Sequence, residues 1–229
     1  MISDKLAWVN AKITEAAKKA GRDPKSVRLV AVSKTVTEDK IIEAQKAGAN
    51  LFGENRVQEA LEKINHLGRD GFAWHLIGHL QKNKVKHVIG HFDLIHSVDS
   101  VDLARVIDEK SRARSLVTRI LIQVNVSGEA SKSGVAPEDL EATLRAVSKM
   151  QAVRVEGLMT IPPFAPDPEQ SRDVFSQLLG LRDQMAELAI EGVYLQELSM
   201  GMSHDFPVAI EEGATLVRVG TAIFGERTA

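Results

Sequence analysis

From Arg28 to the C-terminus, short runs rich in Val, Ile and Leu alternate with longer stretches in which apolar and polar positions recur at helical spacing. The apolar runs are R-L-V-A-V-S, N-L-F-G-E-N, A-W-H-L-I-G, D-L-I-H-S-V, R-I-L-I-Q-V-N-V, R-V-E-G-L-M-T, L-Q-E-L-S-M and L-V-R-V-G, eight in all. Their length and branched side chains predict buried strands. Between them, amphipathic spacing predicts helices over Glu38 to Ala47, Arg56 to His66, Gln81 to Ile89, Val101 to Ala113, Pro137 to Met150, Glu169 to Ile190 and Phe206 to Glu212. A further helix, from about Ser3 to Ala20, precedes the first strand and is ended by Gly21, Asp23 and Pro24. Each strand but the last is expected to be followed by one helix.

Strands apolar on both faces, with a helix in every crossover, predict a parallel sheet covered by helices. An open doubly wound sheet would usually carry a glycine-rich phosphate turn after its first strand, and S-K-T-V-T-E holds neither G-x-G-x-x-G nor a Walker lysine. A closed (β/α)8 barrel needs eight such units and about this much chain. The expected fold is therefore α/β: one barrel domain over residues 1–229 with an extra N-terminal helix. Four prolines in I-P-P-F-A-P-D-P-E, Ile161 to Glu169, forbid a helix there; the loop is read as a turn, with a lid as the other possibility.

Composition narrows the partners. A formal net charge of -2 gives no general attraction to nucleic acid or anionic lipid. The absence of cysteine excludes disulfides, thiolate metal sites and a cysteine nucleophile. No secretory signal or membrane-spanning run is legible, so a cytoplasmic protein, and a monomer, is expected.

In a barrel of this kind the active site forms at the C-terminal ends of the strands, which directs attention to polar residues there. Lys34 ends the first strand on the same face as Val30 and Val32, so its amine either stands over the barrel mouth, able to form a Schiff base with a carbonyl, or reaches solvent. Arg218 lies inside an apolar run and must find an acceptor. That acceptor is either an inward carboxylate such as Glu197 or Glu156, or the ring nitrogen of a bound pyridine cofactor. Gly220 and Thr221 follow it, and the preceding strand supplies Ser199, Gly201 and Ser203, in loops where barrels frequently bind phosphate. Asn55, His75, His79, Asn125, Met159 and Thr160 are further strand-end residues. His75 and His79 have the spacing of a helical zinc pair but fall on a strand without the H-E-x-x-H glutamate, so no metal site is expected. His66, His87, His91, His96 and His204 read as surface or packing residues.

Five segments, A-V-S-K-T at 31–35, F-G-E-N at 52–55, W-H-L-I-G-H-L-Q-K-N-K at 74–84, L-S-M-G-M-S-H-D at 198–205 and R-V-G-T-A-I-F-G at 218–225, resemble the pyridoxal 5'-phosphate (PLP) homeostasis protein family nearly end to end. The resemblance implies a barrel of the alanine racemase N-terminal domain type, with PLP bound covalently to Lys34 as an aldimine. It makes Arg218 the partner of the pyridine nitrogen, gives the phosphate to Ser199, Gly220 and Thr221, and lines the pocket with Asn55, His75 and Met159. It also places Lys132 near the mouth, where it receives or relays cofactor, and it shows a departure at Val36, where many relatives have a second lysine. The implied role is to hold PLP and release or deliver it to apo-enzymes, with at most weak catalysis. The alternatives are an amino-acid racemase, for which the one tyrosine, Tyr194, is expected at the wrong end of the barrel, and a cofactor-free Schiff-base aldolase.

Overall fold

The computed structural model describes residues 1–129 and 133–226. In it the eight apolar runs form β1 (Arg28–Val32), β2 (Leu51–Glu54), β3 (Ala73–Leu76), β4 (Leu94–Val98), β5 (Thr118–Gln123), β6 (Val153–Met159), β7 (Val193–Met202) and β8 (Leu216–Val219). All pair in parallel in chain order, and β8 returns to β1 with Val30 opposite Arg218, closing the barrel. The expected fold class and the N-terminal helix are both present.

Period-2 alternation separates two apolar layers. Val30, Val32, Leu51, Ile77, Leu94, Leu121, Met159 and Leu216 fill the barrel interior. Their neighbours along the strands, such as Phe52, Trp74, Leu76 and Ile95, face the helices. Each such fully buried side chain contributes about 1.5–3 kcal/mol.

The helices are α1 (Ile2–Lys19), α2 (Glu38–Lys46), α3 (Val57–Leu67), α4 (Val85–Val88), α5 (Val101–Arg112), α6 (Leu140–Val147), α7 (Arg172–Glu187), α8 (Phe206–Glu211) and α9 (Thr221–Phe224). On α1, Leu6, Val9, Ile13 and Ala17 form one buried stripe, which packs against α2, α8 and α9. The sequence pattern and the structure differ at helix starts. The stretches expected as helix from Pro137 and Glu169 open as 3-10 turns, Pro137–Asp139 and Pro168–Ser171, each with proline at the first position, where the missing N–H has no intrahelical acceptor to lose. Gln81 to Ile89 likewise splits into a 3-10 turn, Lys82–Lys84, and α4. Contrary to expectation, the last strand is also followed by a helix, α9, too short for periodicity to reveal. Among the described residues, no helix is long and apolar enough to cross a membrane.

Candidate functional site

Lys34 follows Ser33 just beyond the C-terminal end of β1 and is half-buried. Its neighbours around the closed ring of strand ends are Asn55 after β2 and Gly220 after β8. Asn55 lines a cleft of about 250 Å³ over the ends of β2, β3, β5 and β6, together with Ile77, Gly78, His79, Gln123, Asn125 and Ile161. The Asn55 Oδ1 is buried and has no hydrogen-bond partner among the described residues. Such an orphaned acceptor costs about 1–3 kcal/mol, which a ligand donor or ordered water offsets. Gly78 permits this close packing, since a Cβ there would stand 2.4 Å from the Asn55 carbonyl oxygen.

Arg218 lies beneath the mouth, 5% exposed. Neither carboxylate that might have neutralised it does so. Glu197 pairs with Arg28 and accepts from Thr215, while Glu156 accepts from Arg119 at 2.7 Å and lies 2.9 Å from Arg154. Instead Arg218 donates to Ser199 Oγ (2.6 Å) and to the Thr160 carbonyl (2.9 Å). These bonds use two of its five N–H donors, and no other acceptor meets it among the described residues. Burial lowers its pKa to about 10, with Asp205 acting in the opposite sense, so it stays a cation at neutral pH.

Ser199, expected at the phosphate, is fully buried below the mouth, and its hydroxyl is committed on both sides. His96 Nδ1 is 2.8 Å from Ser199 Oγ, and His96 Nε2 is 2.9 Å from His75 Nδ1. Because a guanidinium only donates, the Ser199 proton finds its acceptor in His96 Nδ1; His96 Nε2–H then donates to His75 Nδ1. His75 thus sits at the inner end of this chain and lines the opposite mouth beside Arg28 and Arg119, away from His79. Burial pushes its pKa down to about 3, reinforced by those two arginines, and holds His96 well below the usual imidazole value too. His96, read from sequence as surface or packing, is the central link; its burial inside D-L-I-H-S-V was the available signal.

The hydroxyl beside the β8 loop is that of Ser203, which accepts the Gly220 N–H at 3.1 Å. Asp205 Oδ1 accepts from Met202 N and tightens the same loop. Thr221 is exposed at the start of α9, and Met159 is fully buried in the interior cluster opposite Gln123. The proline-rich loop leans over the mouth: Ile161 lines the cleft, and His204 Nε2 donates to the Pro166 carbonyl at 2.9 Å. Lys132 lies outside the described residues. Tyr194 stands near the start of β7 under the Arg154 guanidinium, 4.1 Å from its ring centroid.

Sequence reasoning missed the group behind Lys34. Lys63 of α3 is buried and donates to Glu54 Oε1 (2.8 Å), Glu59 Oε1 (2.7 Å) and the Ser33 carbonyl (2.7 Å). A lysine on the barrel-facing stripe of α3, beside Ala60 and Ile64, was the signal.

The alanine racemase, N-terminal domain family matches residues 6–228. The pyridoxal phosphate homeostasis protein of Aquifex aeolicus is 46% identical over 224 residues, covering 98% of this chain and 97% of the relative. Among solved structures, a protein from Bifidobacterium adolescentis superposes with a TM-score of 0.93 at 39% identity, covering 97% of this chain and 94% of that one. PipY of Synechococcus elongatus, solved with PLP bound, has a TM-score of 0.85 at 38% identity, covering 98% of this chain and all of PipY.

Proposed function

Since this chain belongs to the pyridoxal phosphate homeostasis protein family, on the alanine racemase N-terminal domain fold, we propose that it binds PLP at the mouth formed by the strand ends and keeps the reactive aldehyde for release to apo-enzymes. The observation that carries the reading is Arg218: a buried cation that, among the described residues, pairs with no carboxylate, lying under the rim that bears Lys34. The orphaned Asn55 Oδ1 at the adjoining cleft also fits a polar ligand.

The cofactor supplies an aldehyde, with which a primary amine condenses to an imine as water leaves. Lys34 is the amine. Arg218 keeps its protons and donates toward the pyridine nitrogen, which then stays unprotonated and withdraws electrons weakly; carbanion chemistry is correspondingly poor. Ser203, Gly220 and Thr221 take the phosphate, the hydroxyls and backbone N–H groups serving as donors. Asn55 and Met159 line the pocket. Ser199 and His75 act from below, through Arg218. A racemase reading gains nothing from Tyr194, since an acid–base group for the second face is needed at the C-terminal mouth and Arg154 covers this ring at the N-terminal one.

Borohydride reduction of protein loaded with PLP, followed by peptide mass mapping, tests the reading. A pyridoxyl adduct on Lys34 is expected, and pigmented protein with Lys34 unmodified would overturn it. Colour separates the aldolase, which purifies colourless.

A further inference from the structure

The residues Ser33–Lys34–Thr35–Val36 form a tight turn closed by the Val36 N–H donating to the Ser33 carbonyl at 3.0 Å. Thr35 occupies its third position with φ of 59°. A positive φ there suits glycine or asparagine, and a β-branched residue holds it only under strain.

What holds the turn is one charged cluster on the outer side of the barrel wall. The Ser33 carbonyl, on the peptide unit before the Lys34 Cα, accepts from Lys63 Nζ. The Thr35 N–H, on the peptide unit after it, donates to Glu59 Oε1. Lys63 bonds that same Glu59 oxygen, and its third proton goes to Glu54 Oε1, which also accepts from Ser33 Oγ at 2.7 Å. Both peptide planes that set the Lys34 backbone dihedrals therefore end on a single ion cluster.

As a device for stability alone the cluster is poor. Buried ion pairs recover their desolvation cost only with full hydrogen bonding, and Glu54 Oε2 is buried without a partner among the described residues. Desolvation raises the Glu54 pKa, in accord with that deficit. The positive φ of Thr35 and the unmatched oxygen of Glu54, whose other oxygen accepts from Ser33 Oγ, both belong to the residues that hold this turn.

We propose that Lys63, with Glu54 and Glu59, is the positioning device of Lys34, fixing the backbone from which the amine reaches the barrel mouth. This rests on the assignment of Lys34 as the PLP-bearing amine. Lys63 touches neither amine nor ligand in this scheme; it acts through the peptide units.

The test compares wild type with Glu59→Leu, Glu59→Gln and the double variant Lys63→Met with Glu54→Gln, which removes the pair together so that no buried charge is stranded. In the apo-proteins, hydrogen exchange at the Thr35 amide is expected to quicken at least tenfold in Glu59→Leu and in the double variant, and little in Glu59→Gln, which keeps an acceptor oxygen. With PLP, the dissociation constant read from imine absorbance is expected to rise at least tenfold in the first two, with borohydride adducts spreading to other lysines, and to recover in Glu59→Gln. Folded variants that exchange and bind within twofold of wild type overturn the proposal. So does a lowered urea midpoint with unchanged affinity, which marks a merely structural cluster. If the wild-type adduct maps elsewhere than Lys34, the assignment of the amine fails, while the exchange data on the apo-protein still report on the clamp.

Discussion

Arg218 Nη1 lies 2.6 Å from Ser199 Oγ, so among the described residues the cation beneath the barrel mouth is held by a neutral hydroxyl and not by a carboxylate. A carboxylate would share its charge with the guanidinium and weaken what the remaining N–H groups offer a ligand. The hydroxyl leaves the positive charge available. Removing it strands one donor of a buried charge, which costs about 1.5–3 kcal/mol. Ser199→Ala should therefore lower stability by that order in urea unfolding and weaken PLP binding, with Arg218 still present; unchanged affinity would show that the Ser199 hydroxyl does not support the site.

Replacing Lys34 with alanine should abolish the imine absorbance and leave the fold intact, because the residue is half-buried at a strand end and outside both apolar layers. Circular dichroism and the visible spectrum check both halves. Persistence of the band would identify another amine.

The buried histidines give stability a pH dependence. His75 is held near 3 in the fold against 6.5 in the unfolded chain, so below pH 6.5 the unfolded state binds a proton that the folded state refuses. Stability from this group is complete above about 6.5 and falls as pH drops toward 3, by about 1.4 kcal/mol per pH unit at most. His75→Phe should flatten the urea midpoint between pH 6 and about pH 4.5; an unaltered slope would mean that His75 is protonated in the native barrel.

At Gly78 an alanine Cβ would meet the Asn55 backbone at 2.4 to 2.8 Å. Backbone cannot swing aside as a side chain can, so β2 and β3 must separate at their ends, at a cost of about 1–3 kcal/mol. Gly78→Ala should show both a lower midpoint and weaker PLP binding. A stability loss with no change in affinity would remove Asn55 from the pocket.

Incubation of an L-amino acid with the PLP-loaded protein should leave its optical rotation unchanged over hours. The Tyr194 ring is stacked under Arg154 near the start of β7, at the other end of the strands from Lys34, and provides no acid for the second face of a substrate. Rapid loss of rotation would restore the racemase.

Local pattern made the barrel legible: eight apolar runs, each set apart by amphipathic stretches, leave few ways to bury both faces of a parallel sheet. Lys34 and Arg218 stood out by the same logic, one as a charge closing a buried strand and the other as a charge inside one. The roles of Ser199 and His75 were not legible. Strand periodicity shows that a side chain faces inward but not at what height or against which partner, and the tertiary structure places Ser199 against Arg218 and His75 toward the opposite mouth.

What the sequence determined by itself is what depends on near neighbours: the strands, the helices, the inward face of β1 and the lysine at its end. The tertiary structure alone decided which groups share a proton or a charge. Lys63 is 30 residues from Ser33, and Ser199 is 103 from His96, yet each pair is within hydrogen-bond distance. Contacts of that kind arise only when the ring of strands closes, because closure sets the heights and faces at which distant side chains meet.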